Sequence, residues 1–500
     1  MDCEVLICGL GPVGQLLALH LGQLGLETIA IDEAVAPYEL PRAAVVDDEV
    51  LRIFQGVGLD QAVLRDAQVQ PKVSFITTRG LTTEILDTEA GDFGQPPLVS
   101  IHQPSLERTM VAALEDRGEV ELRWGRRLER LERSAEQVTA WVRPTGGGPA
   151  ESLRCRYLVG CDGGRSAVRG LLRIAFGGST FVQRWLVVDG LVDRPIVAAP
   201  HPHFLGDPRR PAVSLPMSPG RHRWEWMLHA GEPDEPFLRG DRIRALLEPW
   251  LDGEEVEIER AIVYTFHARV AERWRAGRVL LAGDAAHVMP PFVGQGFSSG
   301  ARDAANLAWK LDAVLHGAPT RLLDTYEAER RPHVRSMQQL AVRFGGLLQT
   351  TRPRGSRYRD RVVELAERTG VLGWARERAK PLPTYGSGAF ARPPHRLPFR
   401  RNVGALFPQP DRLDDRLGAG WAAVSSSPQA TVDWRAAGLR VVELPDDKWL
   451  RRHRVEWALL RPDRFVFAAG GPAEIGGAVA ALRALVGESF KVDQLSIKGT

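Results

Sequence analysis

Cysteine is scarce in this chain. There are four in 500 residues, Cys3, Cys8, Cys155 and Cys161, and none follows Cys161. None forms a Cys-x-x-Cys pair or a zinc-type cluster, which excludes a disulfide framework and a cysteine zinc site. Their strand-like neighbours point instead to buried, reduced thiols. No uninterrupted apolar run is long enough to span a bilayer. The first apolar stretch, VLICGLGPVGQLLALHLG, follows Asp2 and Glu4 where a signal peptide would carry positive charge. A cytoplasmic protein with no membrane partner is expected. Charge of one sign is also missing: 65 basic residues meet 62 acidic ones, for a net charge of +3. The two signs are interspersed, so no footprint for nucleic acid or an anionic membrane exists. Tandem repeats and low-complexity tracts are absent.

What is present is ordinary for a globular chain, with 44% apolar and 25% charged residues. Five hundred residues exceed what one core organises, so two or three domains are expected. CEVLIC reads as a strand, GLGPVG as a tight turn, QLLALHLGQLGL as a buried helix and TIAI as a second strand. KVSFITTRGLTTEIL, and the region from FVQRWLVVDGLV through AVSLPMSPGRHRWEWMLH, read as hairpins of an antiparallel sheet inserted into the first domain. ARDAANLAWKLDAVLHG after Ser298 and Ser299 is helical. LLDTYEAERRPHVRSMQQLAVRFGGLL continues as helix, with a break predicted near Pro332. From about residue 400 a new strand and helix pattern starts.

Three motifs carry chemistry. In the first, Gly9, Gly11 and Gly14, with Pro12 and Val13 between them, follow a strand and open a helix. Asp32 closes the next strand, with Glu33 as the competing acid. Such glycines let the backbone approach a pyrophosphate, and the helix start supplies free amides. The second motif, VGCDGGRSAVRG, places Asp162 and Gly163 in a turn. The third, RVLLAGDAAH, puts Gly283 and Asp284 at the end of a buried strand, where the carboxylate needs hydrogen-bond donors. Read singly, the second and third could each be a turn or a helix cap.

Together and in this order, the three motifs resemble the signature of the class A flavin-dependent aromatic hydroxylases, the p-hydroxybenzoate hydroxylase family. PRAAVVDDEVLRIFQGVGL, IHQPSLERTM, DPRRPAVSLP, GDAAHVMPPFVGQGFSSGARDAANLAWKL and LLDTYEAERRPH are similar to its 3-(3-hydroxyphenyl)propionate hydroxylase-like members. The likeness is close over residues 3 to 350 and loose beyond. It implies an α/β fold: a Rossmann-like FAD-binding domain, an inserted antiparallel-sheet substrate domain and a C-terminal thioredoxin-like α/β domain. The FAD-binding parts fall at 1–72, 101–180 and 271–350, and the substrate parts at 73–100 and 181–270. A helical linker at 351–400 and the thioredoxin-like part at 401–500, without redox cysteines, complete the chain.

The resemblance also implies FAD as cofactor, NADH or NADPH as transient co-substrate, and hydroxylation of a phenolic or other electron-rich ring by O₂ through a C4a-hydroperoxyflavin. A homodimer is compatible with it. Baeyer–Villiger oxygenation, modification of an antibiotic and flavin binding without turnover stay open, because fold does not fix chemistry. It assigns Arg42 and Gln103 to FAD contacts and offers Tyr264 as a hydrogen-bond partner of a phenol.

The residues themselves add further candidates. His201 and His203 in PHPHF could tune a phenol near neutrality, with exposed loop histidines as the plainer alternative. They lack the further ligands that a metal needs. Trp224 and Trp226 share one strand face, as pocket wall or as core.

In GDAAHVMPPFVGQGFSSGARDA, residues 283–304, the glycines follow Pro290-Pro291 and not a strand, which excludes a second dinucleotide fold. The stretch reads as one flavin bed. Asp284 serves the ribityl or pyrophosphate end, and Pro291 lies at the ring edge. Gly294, Gln295, Gly296 and Phe297 bring backbone amides close. Ser298 and Ser299 open a helix whose positive end faces the ring. His287 is expected to orient the turn, not to move a proton.

Overall fold

The computed structural model describes residues 1–87, 92–371, 384–392, 395 and 402–487. The apolar strand Cys3–Cys8 lies inside a parallel sheet, between Thr28–Ile31 and Glu151–Gly160. Val120–Arg123 extends one side and Val279–Leu281 the other. Such strands, apolar on both faces, need cover on both sides. Helix Pro12–Gln23, whose Leu16, Leu17, Leu19 and Leu21 are fully buried, supplies part of it. An antiparallel ribbon, Arg126–Arg133 with Val138–Pro144, grows from Glu151–Gly160.

The second sheet has eight strands. Their order is His287–Val288, Val256–Ala271, Phe176–Val192, Arg221–Leu228, Ala212–Pro216, His203–Leu205, Lys72–Ile76 and Thr82–Asp87. It departs from the antiparallel expectation at one junction, where His203–Leu205 runs parallel to Lys72–Ile76. Those two strands come from separate insertions, so no hairpin dictates their direction.

Side-chain alternation gives this sheet two unlike faces. Leu186, Val188, Trp224 and Trp226 pack against Ile243 and Leu247 of the sheet's own helix, Gly240–Leu251. On the opposite face, Phe75, Trp185, Val213 and Met227 meet Phe292 and Leu348. The second face looks toward the dinucleotide-binding half.

Two long helices depart from expectation. Helix Gln295–Leu315 begins three residues before Ser298, with Gly294 as its N-cap at φ 64°. Ser298 and Ser299 therefore lie inside the first turns. Helix Asp324–Leu348 runs through Pro332 without ending. An interior proline costs roughly 3 kcal/mol. The buried face formed by Tyr326, Arg330, Val334 and Met337 outweighs that penalty.

The C-terminal segment forms its own sheet. Ala422–Ser425 pairs in parallel with Arg440–Glu443 and antiparallel with Trp457–Leu460, which pairs antiparallel with Val466–Gly470. It docks through buried charges: Arg461 donates to both oxygens of Glu329, each at 2.9 Å, and Arg52 grips Asp414 at 2.6 and 2.8 Å. Helix Pro353–Arg368 lies within the linker expected at 351–400. Residues 372–383, 393–394 and 396–401 of that linker, and 488–500 of the last domain, lie outside the described residues. No described helix is long and apolar enough to cross a membrane.

Candidate active site

The first glycine motif divides by role. A Cβ on Gly9 would lie 2.4 Å from the Cys161 carbonyl oxygen, and one on Gly14 would lie 1.9 Å from that of Gly9. These two glycines close the turn. A Cβ on Gly11 would meet no protein atom within 4 Å. Gly11 is the N-cap of helix Pro12–Gln23, so open space stands where free amides gather a partial positive charge. Val13 turns its side chain under Gly283 and Gly300, which locks this turn to the third motif. Asp32 accepts from Leu10 N at 2.7 Å and Ala34 N at 2.8 Å, at the mouth of the same turn. Glu33 is exposed, with Arg127 at 3.4 Å.

Arg42 is exposed and stacks on the Tyr38 ring, 4.1 Å from its centroid. Its charge favours the ionised forms of both Asp284 and Glu107 against the effect of burial. The Gln103 side chain is engaged at both ends: Oε1 accepts from Ala43 N at 2.6 Å, and Nε2 donates to Glu107 at 2.6 Å. Gln103 thus fixes the loop that carries Arg42, with one hydrogen of its Nε2 still uncommitted.

The second and third motifs meet through Arg169, which donates to the Gly164 and Ala285 carbonyls at 2.7 and 2.9 Å. Asp162 caps the following helix by accepting from Val168 N at 2.9 Å, while its other oxygen is buried without a partner. Gly163, at φ 77°, turns the chain in a conformation other residues resist. Asp284 opens onto the cleft yet is ringed by protein. Burial raises its carboxyl above the ordinary value, against the charges of His287 and Arg42.

The loop from Pro290 to Gly294 is pinned to the second, eight-stranded sheet by Phe292, whose ring meets Trp185 and Phe266 edge-on, each at 5.5 Å. Pro291 is exposed at its start and Gly294 turns it into the helix. The Gln295 side chain is buried in an ion network. It donates to Asp47 at 3.0 Å and accepts from Arg302 at 2.8 Å. Its backbone amide, with those of Gly296 and Phe297, forms the free helix start instead of Ser298 and Ser299.

His287 is tied by Nε2 to Asp303 at 2.7 Å, and the other Asp303 oxygen accepts from Arg330 at 2.8 Å. Asp303 also receives the Gly283 amide at 3.1 Å. Burial raises the Asp303 carboxyl, but the neighbouring His287 and Arg330 outweigh it and hold it below the ordinary value. Sequence reading missed Asp303 and Arg330. Their signal was a charged residue on the apolar face of each long helix.

Three sequence candidates lie on the face of the second, eight-stranded sheet turned away from the Pro290–Gly294 loop. Trp224 and Trp226 face helix Gly240–Leu251 and belong to that core. His203 pairs with Ser214, which pairs with Trp224, so it shares their face. His201 and His203 are buried beneath that face and not in an exposed loop. Burial lowers the pKa of His203 to about 4, so it stays neutral near pH 7.

Tyr264 lies on the face that meets Phe292, opposite Trp185 in register. Its hydroxyl accepts from Arg260, leaving its own hydrogen to donate. Beside it, Arg223 grips Asp189 at 2.6 and 3.1 Å and donates to the carbonyls of Arg42 and Pro41 at 2.8 and 3.1 Å. The substrate sheet therefore holds the Arg42 loop directly.

These residues fit FAD. Gly11 leaves a cradle that a side chain would fill, and Asp162 and Ser299 each present a buried oxygen without a partner. The first turn and Arg42 would hold the diphosphate, Asp32 a ribose, Asp284 the ribityl chain, and the amides of 295–297 the ring. Among the described residues no group of three or more His, Cys, Asp or Glu is placed to hold a metal.

Fold and site define a flavoprotein of the monooxygenase class. A family model described as FAD binding domain matches residues 2–341, and one described as HcaD C-terminal domain matches 415–485. The 3-(3-hydroxy-phenyl)propionate/3-hydroxycinnamic acid hydroxylase of Mycolicibacterium smegmatis is 39% identical over 459 residues, 87% of this chain and 80% of that one. The protein of the same name from Escherichia coli O8 is 34% identical, spanning 95% and 93%. OxyS anhydrotetracycline hydroxylase from Streptomyces rimosus superposes with a TM-score of 0.78 at 27% identity, over 97% of this chain and 99% of that one. The flavin-dependent monooxygenase PieE, solved with FAD and substrate, shares the fold, with a TM-score of 0.82 at 22% identity over 97% and 99%. The chain belongs to this family of FAD-dependent aromatic hydroxylases.

Proposed function

We propose that this enzyme uses NADH or NADPH and O₂ to hydroxylate a small phenolic acid of the 3-(3-hydroxyphenyl)propanoate type. The observation that carries the reading is the face of the substrate sheet turned to the flavin loop. Phe75, Trp185, Val213 and Met227 make it apolar, and Phe292 joins it to the loop. Tyr264 adds a hydrogen-bond donor at its edge. Such a surface suits a flat ring with one polar anchor. The names of the 39% and 34% identical relatives support the substrate class.

FAD supplies the oxygen-activating chemistry when bound. The protein binds and orients the ring, excludes water and hydrogen-bonds the phenol. We assign 73–100 and 181–270 to the substrate domain, and 1–72, 101–180 and 271–350 to FAD binding. Pro291 is assigned to the ring edge. The strand order of the last domain supports a thioredoxin-like fold. With no cysteine after Cys161 it performs no disulfide chemistry, and it buttresses the helices through Arg461. The composition supports a cytoplasmic enzyme.

A second reading, hydroxylation of a polycyclic antibiotic intermediate, draws on the likeness to OxyS. A panel containing phenylpropanoid acids, tetracyclic aromatics and cyclic ketones separates the possibilities. Hydroxylated phenylpropanoid with matching NAD(P)H consumption supports the proposal. Turnover confined to tetracycles supports the second reading, ring-expanded esters indicate Baeyer–Villiger chemistry, and no turnover indicates a flavin-binding protein.

A further inference from the structure

Along strand Arg221–Leu228, the face opposite Trp224 and Trp226 carries Arg221, Arg223, Glu225 and Met227. Arg223 is committed to Asp189 and the Pro41–Arg42 carbonyls, and Met227 to the cluster with Trp185 and Phe292. Glu225 lies between them, midway from the Arg42 anchor to the flavin loop. Its strand is interior to the sheet, and its lateral neighbours are Val187 and Val213. Among the described residues, no hydrogen bond or ion pair reaches its carboxylate. Arg223, Trp224, Trp226 and Met227 are buried, yet Glu225 keeps partial access to solvent.

A bare carboxylate in the middle of a covered sheet is costly unless a polar partner arrives. The partial solvent access of Glu225 leaves room for such a partner to approach. The charged and titratable groups facing it are Arg223 on its own strand, Asp189 on the next, and Arg260 and Tyr264 one strand further. The strand carrying Val213 and the loop Pro290–Gly294 present none. Both arginines are engaged elsewhere, Arg260 with Asp189 at 3.8 Å, Pro41 and Tyr264, with only its Nε lacking a partner. Burial raises the Glu225 carboxyl above its ordinary value, with Arg223 opposing and Asp189 reinforcing. That shift moves it toward the range where a base works near neutral pH.

We propose that Glu225 is the base of the reaction, accepting the hydrogen bond of the substrate's phenolic hydroxyl and taking its proton as the ring is oxidised. This rests on the function proposed above. The phenol O–H bond breaks and a Glu225 O–H bond forms. The electron pair left on oxygen enriches the ring carbons ortho and para to it, one of which bonds the incoming oxygen atom. O₂ provides that atom and NAD(P)H provides the two electrons that reduce the other atom to water; the C–H bond of the attacked carbon then breaks, its hydrogen leaves to solvent as a proton, and the proton held by Glu225 returns to the phenolic oxygen.

The test compares wild type with Glu225→Gln and Glu225→Asp, all loaded with FAD. Two probes are used: 3-(3-hydroxyphenyl)propanoate, neutral at its phenol, and a ring-nitrated analogue already ionised at the assay pH. With the neutral phenol, Glu225→Gln should lose roughly 10²-fold in kcat and the acid limb of the wild-type pH profile, while Glu225→Asp retains that limb. With the ionised phenol the variant should approach or exceed wild type. Equal losses on both probes, or an unchanged acid limb, would overturn the proposal. Should Glu225→Gln fail to fold, wild type alone decides: the acid limb must appear with the neutral phenol and vanish with the ionised one. A wild type inactive on every phenol defeats the functional reading itself, whereas active wild type with an unaffected variant defeats only the role of Glu225.

Discussion

His287 Nε2 and Asp303 Oδ2 stand 2.7 Å apart, and neither side chain is exposed. The histidine belongs to the loop after Asp284, the aspartate to the helix that starts under the flavin loop. Their contact sets the distance between two halves of one cofactor bed. Replacing His287 by Ala should therefore lower the FAD retained after gel filtration, read from the ratio of flavin to protein absorbance. Product per bound flavin should hold. Normal retention with abolished hydroxylation contradicts a structural role. Asp303→Ala should be worse, because Arg330 keeps a buried charge without its partner, a loss of roughly 3–5 kcal/mol.

Gly11 and Gly14 separate cofactor binding from folding. Gly11→Ala adds a methyl group where the protein has empty space, so apoprotein stability should change by less than about 0.5 kcal/mol. FAD affinity should still fall at least tenfold, roughly 1.4 kcal/mol, measured by flavin fluorescence. Gly14→Ala meets the Gly9 carbonyl and should destabilise the apoprotein itself. Equal effects of the two on melting temperature contradict the division.

Trp224 and Tyr264 lie on opposite faces of one sheet. Trp224→Ala should cost roughly 3–5 kcal/mol of stability through the cavity it leaves, with KM for the aromatic substrate unchanged. Tyr264→Phe should leave the melting temperature in place and raise KM or lower kcat. The reverse pattern returns the tryptophans to the pocket.

Arg461 and Lys310 converge on Glu329. Burial raises the Glu329 carboxyl, but the two cations outweigh it and hold it at about 2. A carboxyl depressed in the folded state contributes stability fully above its unfolded value of about 4.3, and loses it as pH falls through the folded value. Acid denaturation of wild type should therefore steepen between about pH 4 and 2. Glu329→Gln should be less stable at neutral pH and lose that extra acid sensitivity. Denaturant midpoints across the range measure both.

The local structure of the glycine and Asp motifs was legible in the sequence, because in each of them strand, turn and helix follow in order. The substrate side was legible only in part. RHRWEWML showed its alternation plainly, but alternation does not say which face is covered. The tryptophans drew attention by size, while on the other face Met227 met Phe292 and Arg223 held the Pro41–Arg42 carbonyls. That choice depends on helix Gly240–Leu251 docking behind the sheet, a contact between residues distant in sequence. The helix start was misjudged for a local reason: Gly294 in a left-handed conformation caps it, ahead of the serines that resemble caps. Pro332 misled in the same way, since buried packing overrode a local penalty. Asp303 and Arg330 escaped notice because a buried ion pair between two helices leaves no spacing rule within either one.

Oxygenation of a phenolic ring at the expense of NAD(P)H is the activity this chain is proposed to carry. The most direct measurement runs the FAD-loaded protein with 3-(3-hydroxyphenyl)propanoate under isotopically labelled O₂, following NAD(P)H loss and product mass together. One labelled oxygen atom on the ring for each NAD(P)H consumed is the predicted result. Reduced nicotinamide consumed with no labelled aromatic product, across phenols, contradicts the account.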